Sequence, residues 1–111
     1  TDAWYQSQIT HRPVLLIQDA TMSLTQLLTS LKDNYQINDG LVEAGATVAA
    51  SFLQQGLVDE LIVYQAPCIL GNDAKPMINF TAQHMHQQII ATLVSHETIG
   101  NDIKLTYRFD K

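Results

Sequence analysis

Apolar residues fall into short runs whose spacing changes along the chain. Pro13-Val14-Leu15-Leu16-Ile17 is nearly continuous and is ended by Gln18-Asp19, the pattern of a strand buried on both faces. Leu24, Leu27, Leu28 and Leu31 then recur at i, i+3, i+4 and i+7, which predicts an amphipathic helix ending near Asp33-Asn34. Ser23 is placed to accept hydrogen bonds from the free N–H groups of its first turn. A polar connection through Asn38-Asp39-Gly40 leads to the brief run Leu41-Val42-Glu43. After Ala44-Gly45-Ala46-Thr47 comes a second helical stretch, from Val48 to about Gln55, with Gly56 suited to stop it by taking a positive φ. Leu61-Ile62-Val63-Tyr64-Gln65-Ala66-Pro67, entered through Asp59-Glu60, reads as another buried strand.

The last third has a different period. Ile103, Leu105, Tyr107 and Phe109 alternate with Lys104, Thr106, Arg108 and Asp110, as in a strand with one wet face. Residues 88–96 form a second β-rich run, and Gly100-Asn101-Asp102 between the two supplies turn chemistry, which predicts an antiparallel hairpin. Leu70-Gly71-Asn72-Asp73-Ala74-Lys75-Pro76 reads as a surface loop. Strand and helix alternating before a hairpin predict an α/β fold: a mostly parallel central sheet flanked by helices, closed by a C-terminal antiparallel hairpin.

With 111 residues, 46% hydrophobic and 15% charged, the composition is that of one packed globular domain or a part of one. A formal net charge of -5 without a basic cluster disfavours nucleic acid and anionic membrane as partners. A lone cysteine, Cys68, excludes an intrachain disulfide and a multi-cysteine zinc site. No apolar run approaches the roughly 18 to 20 residues that span a bilayer, and Thr1-Asp2-Ala3-Trp4 is not the start of a signal peptide. A cytoplasmic setting is expected. From the start without methionine, a piece of a longer polypeptide is expected.

The segment with most chemical content is residues 41–57, where a short strand runs through Gly45 into a helix. A glycine there lets a ligand approach the backbone, and the free N–H groups and positive end of the helix dipole favour an anion such as a nucleotide phosphate. A glycine at such a turn is also common without any ligand, and neither G-x-G-x-x-G nor a Walker pattern is present. Glu43 lies at the carboxyl end of the strand, where ligands gather in open α/β sheets. It is suited to accept hydrogen bonds from substrate hydroxyls, or equally to be a solvent-facing or capping carboxylate. His84 and His86 would share a face on a strand, but without a third ligand they read as exposed polar residues and no metal site is expected. Cys68 has no mark of an activated nucleophile and reads as a small buried hydrophobe. Tyr64 and Tyr107 read as packing residues, and no Ser-His-Asp set can be drawn from spacing.

The stretch Val42-Glu43-Ala44-Gly45-Ala46-Thr47-Val48-Ala49-Ala50-Ser51-Phe52-Leu53-Gln54-Gln55-Gly56-Leu57-Val58-Asp59-Glu60-Leu61 closely resembles the C-terminal reductase domain of the bifunctional riboflavin biosynthesis deaminase-reductases. There an E-G/A-G-x-T-L/V stretch precedes a helix and then G-L-V-D-E-L. Tyr64-Gln65-Ala66-Pro67-Cys68-Ile69-Leu70-Gly71-Asn72-Asp73-Ala74 resembles the same family's A-P-K-x-L-G-x-D-A run, and the likeness extends over the chain, weakly at both ends. It departs at Ala44, where many members have a second glycine, and at Cys68, where a basic residue is common.

The resemblance implies a partial dihydrofolate-reductase-like fold and NADPH as cofactor. The implied reaction reduces the ribose of a small-molecule substrate, 5-amino-6-(5-phosphoribosylamino)uracil, to the ribityl product in riboflavin biosynthesis. By position it implies that Glu43 contacts substrate and that Gly45, Ala46, Thr47, Val48, Ala49, Ala50 and Ser51 hold the NADPH phosphates. Residues 1–111 are then expected to be the C-terminal part of a single reductase domain. The absent N-terminal half, in the family, supplies the opening strands, the remaining substrate-phosphate contacts and an aspartate near the transferred hydride. No catalytic residue is therefore identified, and little activity is expected of the chain alone. The competing readings are a pteridine or dihydrofolate-type reductase, against which the G-L-V-D-E-L and A-P-x-x-L-G stretches argue, and a non-catalytic oligomerisation module. A homodimer is the expected assembly.

Overall fold

The computed structural model describes residues 16–19 and 21–110. The chain divides into two units, residues 1–37 and 38–111. Among the described residues no helix is long and apolar enough to cross a membrane.

The first unit contains helix α1, Leu24–Tyr35. Its start is fixed by reciprocal bonds: the Gln26 N–H donates to Ser23 Oγ at 3.1 Å and the Ser23 N–H donates to Gln26 Oε1 at 2.8 Å, a capping box that satisfies two otherwise orphaned donors. Leu24, Leu27, Leu28 and Leu31 are half-buried while Thr25, Gln26, Thr29 and Lys32 are exposed, so the expected apolar stripe is the covered side. The helix runs just past its expected end. It stops at Gln36, whose left-handed φ of 52° turns the chain so that the Ile37 N–H closes on the Leu31 carbonyl at 3.0 Å. Upstream, the Thr21 N–H and hydroxyl donate to the Asp19 carboxylate at 2.9 and 2.6 Å and hold its carboxyl below the ordinary value. Ser23→Ala removes one side of the capping box. It is expected to cost about 1 kcal/mol, read as a lower urea midpoint with a loss of helical circular dichroism.

The second unit opens on an irregular segment and then helix α2, Ala46–Gln54. This helix starts two residues before the expected Val48, because Gly45, with φ -71° and ψ 174°, already serves as its N-cap. Gly56 at φ 67° ends it as expected, and the Leu57 N–H returns to the Phe52 carbonyl at 3.0 Å. Three strands follow: β1 Glu60–Gln65, β2 Thr92–Ile99 and β3 Asp102–Arg108. A short 3-10 turn, Met85–Gln87, occupies part of the ground between β1 and β2.

The strands form one sheet in the order β1-β3-β2, and both pairings are antiparallel. The expected hairpin is present. Ile99 pairs with Asp102, so Gly100-Asn101 is a two-residue loop, and Gly100 supplies the positive φ of 61° that such turns require at their first position. Val94 is the extra residue of a bulge between the Leu93–Tyr107 and Ser95–Thr106 pairs. Glu60 lies opposite Arg108 and Glu97 opposite Lys104, and these cross-strand neighbours form ion pairs at 3.2 and 3.8 Å.

The mostly parallel sheet expected from the alternating elements is not what the described residues show. Residues 41–43 have no strand structure, and the strand expected at residues 13–17 lies, for residues 13–15, outside the described residues. β1 pairs instead with the C-terminal strand of the hairpin. A three-residue run between Asn38-Asp39-Gly40 and Gly45 has few ladder bonds to offer, and parallel pairing is the weaker kind per residue.

Among the described residues only Ala50, 2% exposed, and Phe52, 7% exposed, are buried. Both lie on α2. Two positions apart, they face different sides of this helix, and many apolar side chains remain open, Ile69 at 98% and Leu70 at 76% exposure among them. Cys68 corrects another expectation: it is exposed, because the segment after Pro67 leaves the sheet as irregular chain and carries the thiol with it.

Candidate functional site

The turn from Glu43 to Thr47 enters α2 without a side-chain cap. The first N–H groups of a helix have no intrahelical acceptor, so Ala46, Thr47 and Val48 present uncommitted donors at the positive end of the helix dipole. Gly45 has an ordinary φ, and a Cβ built on it would meet nothing within 4 Å. Its missing side chain therefore leaves open space above the backbone that the described residues do not fill. Open space beside free N–H groups is compatible with an anion at this helix start.

Two hydroxyls lie on this turn, with different commitments. Ser51 Oγ donates to the Thr47 carbonyl at 3.2 Å, so its proton is used inside the helix. Thr47 Oγ1 instead accepts from Asn79 Nδ2 at 3.3 Å, and the Asn79 N–H donates to the Ala46 carbonyl at 3.1 Å. The loop carrying Asn79 is thereby fastened to the first turn of α2. Sequence reasoning missed Asn79, since nothing in local spacing marks a contact across 32 positions.

The remaining candidates separate. Val48 is 47% exposed beside the turn, Ala46 and Ala49 are half-buried, and the Ala50 side chain points away into the core. Glu43 is exposed in irregular chain, free to meet a solute. Tyr64 is 62% exposed on β1, against the expectation that it packs, while Tyr107 is half-buried. His84 and His86 stack at 5.5 Å with an interplanar angle of 7°, and both are exposed. Among the described residues no three metal-ligating side chains come together.

Two clefts open in the second unit, and neither is lined by Glu43 or Gly45. One, of about 670 Å³, lies between residues 38–42, α2 and the start of β1, with Asp39, Glu60 and Arg108 in its wall. The other, of about 620 Å³, is mainly apolar and is lined by Leu53, Leu61, Val63, Leu105 and Tyr107. These are spaces beside the sheet, whereas the glycine turn is an open surface feature.

The sequence profile of the RibD C-terminal domain matches residues 2–105. The chain belongs to this family. A riboflavin biosynthesis protein RibD of Haemophilus influenzae is 34% identical over 117 residues, covering 89% of this chain and 32% of that protein. One of Buchnera aphidicola subsp. Baizongia pistaciae is 50% identical over 80 residues, covering 70% of this chain and 21% of its own length. A protein of another Buchnera aphidicola, named 5-amino-6-(5-phosphoribosylamino)uracil reductase, is 50% identical over 42 residues, 38% of this chain and 20% of that one.

Among solved structures, Acinetobacter baumannii RibD in its form 1 superposes with a TM-score of 0.78 at 41% identity, over 87% of this chain and 26% of that one. The chain spans at most a third of the relatives it matches. The matched residues 2–105 include the glycine turn, α2, β1 and β2.

Proposed function

We propose that this chain contributes the cofactor turn of an NADPH-dependent reductase of riboflavin biosynthesis, acting on the ribose of 5-amino-6-(5-phosphoribosylamino)uracil. The observation that carries the reading is an uncapped helix start at an open glycine, lying inside a family match that covers residues 2–105. The name of the Buchnera reductase supports the substrate.

The residues present fit the cofactor's phosphates. Space where a Cβ would stand, three free N–H groups and the Thr47 hydroxyl offer donors without a competing carboxylate in the first helical turn. Gly45, Ala46, Thr47, Val48, Ala49, Ala50 and Ser51 form the stretch that would hold them. Gly45 admits the phosphates, the N–H groups of residues 46–48 and the Thr47 hydroxyl donate, and Ala50 anchors the turn in the core. The bound cofactor would supply the hydride. Glu43, exposed next to this turn, is assigned to accept hydrogen bonds from substrate hydroxyls, orienting the sugar.

In this reading residues 1–111 act as the C-terminal part of a single dihydrofolate-reductase-like domain, in keeping with the fraction of each relative they span. A cytoplasmic homodimer completes it. The acidic charge, the single cysteine and the outer edges of β1 and β2, unpaired among the described residues, support that part, since open edges accept a further strand. A non-catalytic pairing module is the rival those same edges favour.

Titration of the chain with NADPH by isothermal calorimetry separates the two. Saturable binding, weak and on the order of a millimolar dissociation constant, with turnover far below that of an intact reductase, is expected. Dimers that form without any NADPH binding would assign the chain to the pairing role instead.

A further inference from the structure

We infer that Asn79 is a positioning residue for the nucleotide turn: its side-chain amide donates to Thr47 Oγ1 and so leaves the threonine proton for a phosphate oxygen. The inference rests on the cofactor reading above and adds a residue to it. A hydroxyl has one proton to donate and two lone pairs with which to accept. With one lone pair taken by Asn79 Nδ2 at 3.3 Å, Thr47 behaves toward the outside as a donor. Ser51, one helical turn on, shows the opposite commitment, its proton going to the Thr47 carbonyl.

The second bond, from the Asn79 N–H to the Ala46 carbonyl at 3.1 Å, fixes the backbone from which the amide reaches. Asn79 is thus tied to the turn by two bonds of the same polarity, both donated by Asn79. Donors leave the turn's own N–H groups and the threonine proton unspent. An anion needs that arrangement, and a cation or a second donor would be repelled by it.

The variant that opposes this role most strongly is Asn79→Asp. It keeps the size of the side chain and reverses its hydrogen-bonding sense, so that a carboxylate takes the Thr47 proton and adds a negative charge beside the phosphate site. A carboxylate near a helix N-terminus stabilises the helix. The added charge also repels a phosphate whatever Asn79 does, so a merely structural Asn79 is told apart by the neutral substitutions: the effect of Asn79→Ala on NADPH binding would then be the same whether or not Thr47→Val is present.

The positioning role predicts the split: unchanged or raised stability in urea, and a Kd for NADPH raised at least about tenfold, beyond the roughly fivefold of Asn79→Ala, which loses only one neutral hydrogen bond. In Thr47→Val, Asn79→Ala should add nothing further. Without cofactor, Thr47→Val should shift the Asn79 side-chain amide signals in a proton–nitrogen correlation spectrum.

Unmoved amide signals, or additive effects of Thr47→Val and Asn79→Ala, overturn the inference. So does Asn79→Asp binding NADPH like wild type, and if Gly45→Val still abolishes binding, the cofactor turn survives and only the role of Asn79 falls. A folded wild-type chain that binds no NADPH overturns both.

Discussion

Gly45→Val is expected to abolish measurable NADPH binding while leaving the stability of the chain within about 1 kcal/mol. The two halves of this prediction have separate causes. At φ -71° and ψ 174° the backbone of Gly45 is open to any L-residue, and a Cβ there meets nothing within 4 Å. The fold therefore pays only the poorer N-cap propensity of valine, about 1 kcal/mol or less. Gly56 differs, since its φ of 67° is one that a side chain resists. The branched valine instead fills the space through which a phosphate would reach the N–H groups of residues 46–48. Losing two hydrogen bonds to a charged group, each about 1.5–3 kcal/mol, corresponds to a hundredfold or greater loss of affinity. Calorimetric titration together with urea unfolding reads both quantities. Retained binding would place the cofactor away from this turn, and a collapse in stability would mean that the glycine serves the fold.

What could be read in the sequence was local. The four leucines of α1 and the Ser23–Gln26 pair lie within a few positions of one another, and both the stripe and the capping box are in place. The hairpin was legible for the same reason, its alternation and its Gly100 turn being adjacent in the chain. Strand direction was not. Leu61-Ile62-Val63 reads as a run buried on both faces, the habit of parallel strands, yet Ile62 is 42% exposed and β1 takes its partner from the last strand of the chain. That pairing joins Glu60 to Arg108, and no periodicity announces it.

The candidate site divides in the same way. The glycine turn and the helix it feeds are contiguous, so the segment 41–57 stands out from order alone, whereas the roles given to Glu43 and residues 45–51 come from the family resemblance. The start of α2 was placed two residues late because Ala46 and Thr47 carry no apolar periodicity, while the feature that sets it, an extended Gly45, is conformational. Asn79 was invisible because its contact with Thr47 depends on where a loop returns. Cys68 was misjudged for a related reason: its type is usually buried, but exposure depends on what covers the segment after β1, which composition does not state.

Phe52→Ala should have the largest effect on stability. Phe52 and Ala50 are the only buried side chains among the described residues, and both hold the same helix. Truncating a buried phenylalanine costs about 3–5 kcal/mol, a large part of the roughly 5–15 kcal/mol that stabilises a small domain. The lower end is expected here, because Phe52 already lines the cleft of about 670 Å³. Its removal enlarges a space open to water rather than creating a sealed void, so the transfer contribution is lost without the full cavity contribution. A loss of about 3 kcal/mol raises the unfolded fraction by roughly a hundredfold. It would appear as a fall in the urea midpoint at an unchanged slope, whereas a change below about 1 kcal/mol would show that α2 is held by other contacts. Because α2 carries the glycine turn, Phe52→Ala should also weaken NADPH binding, but only in proportion to the unfolded fraction, and moderate osmolyte should restore it. Gly45→Val should resist that rescue, since its defect lies in the folded state. The two substitutions, seven residues apart on one turn and helix, thereby separate forming the site from using it.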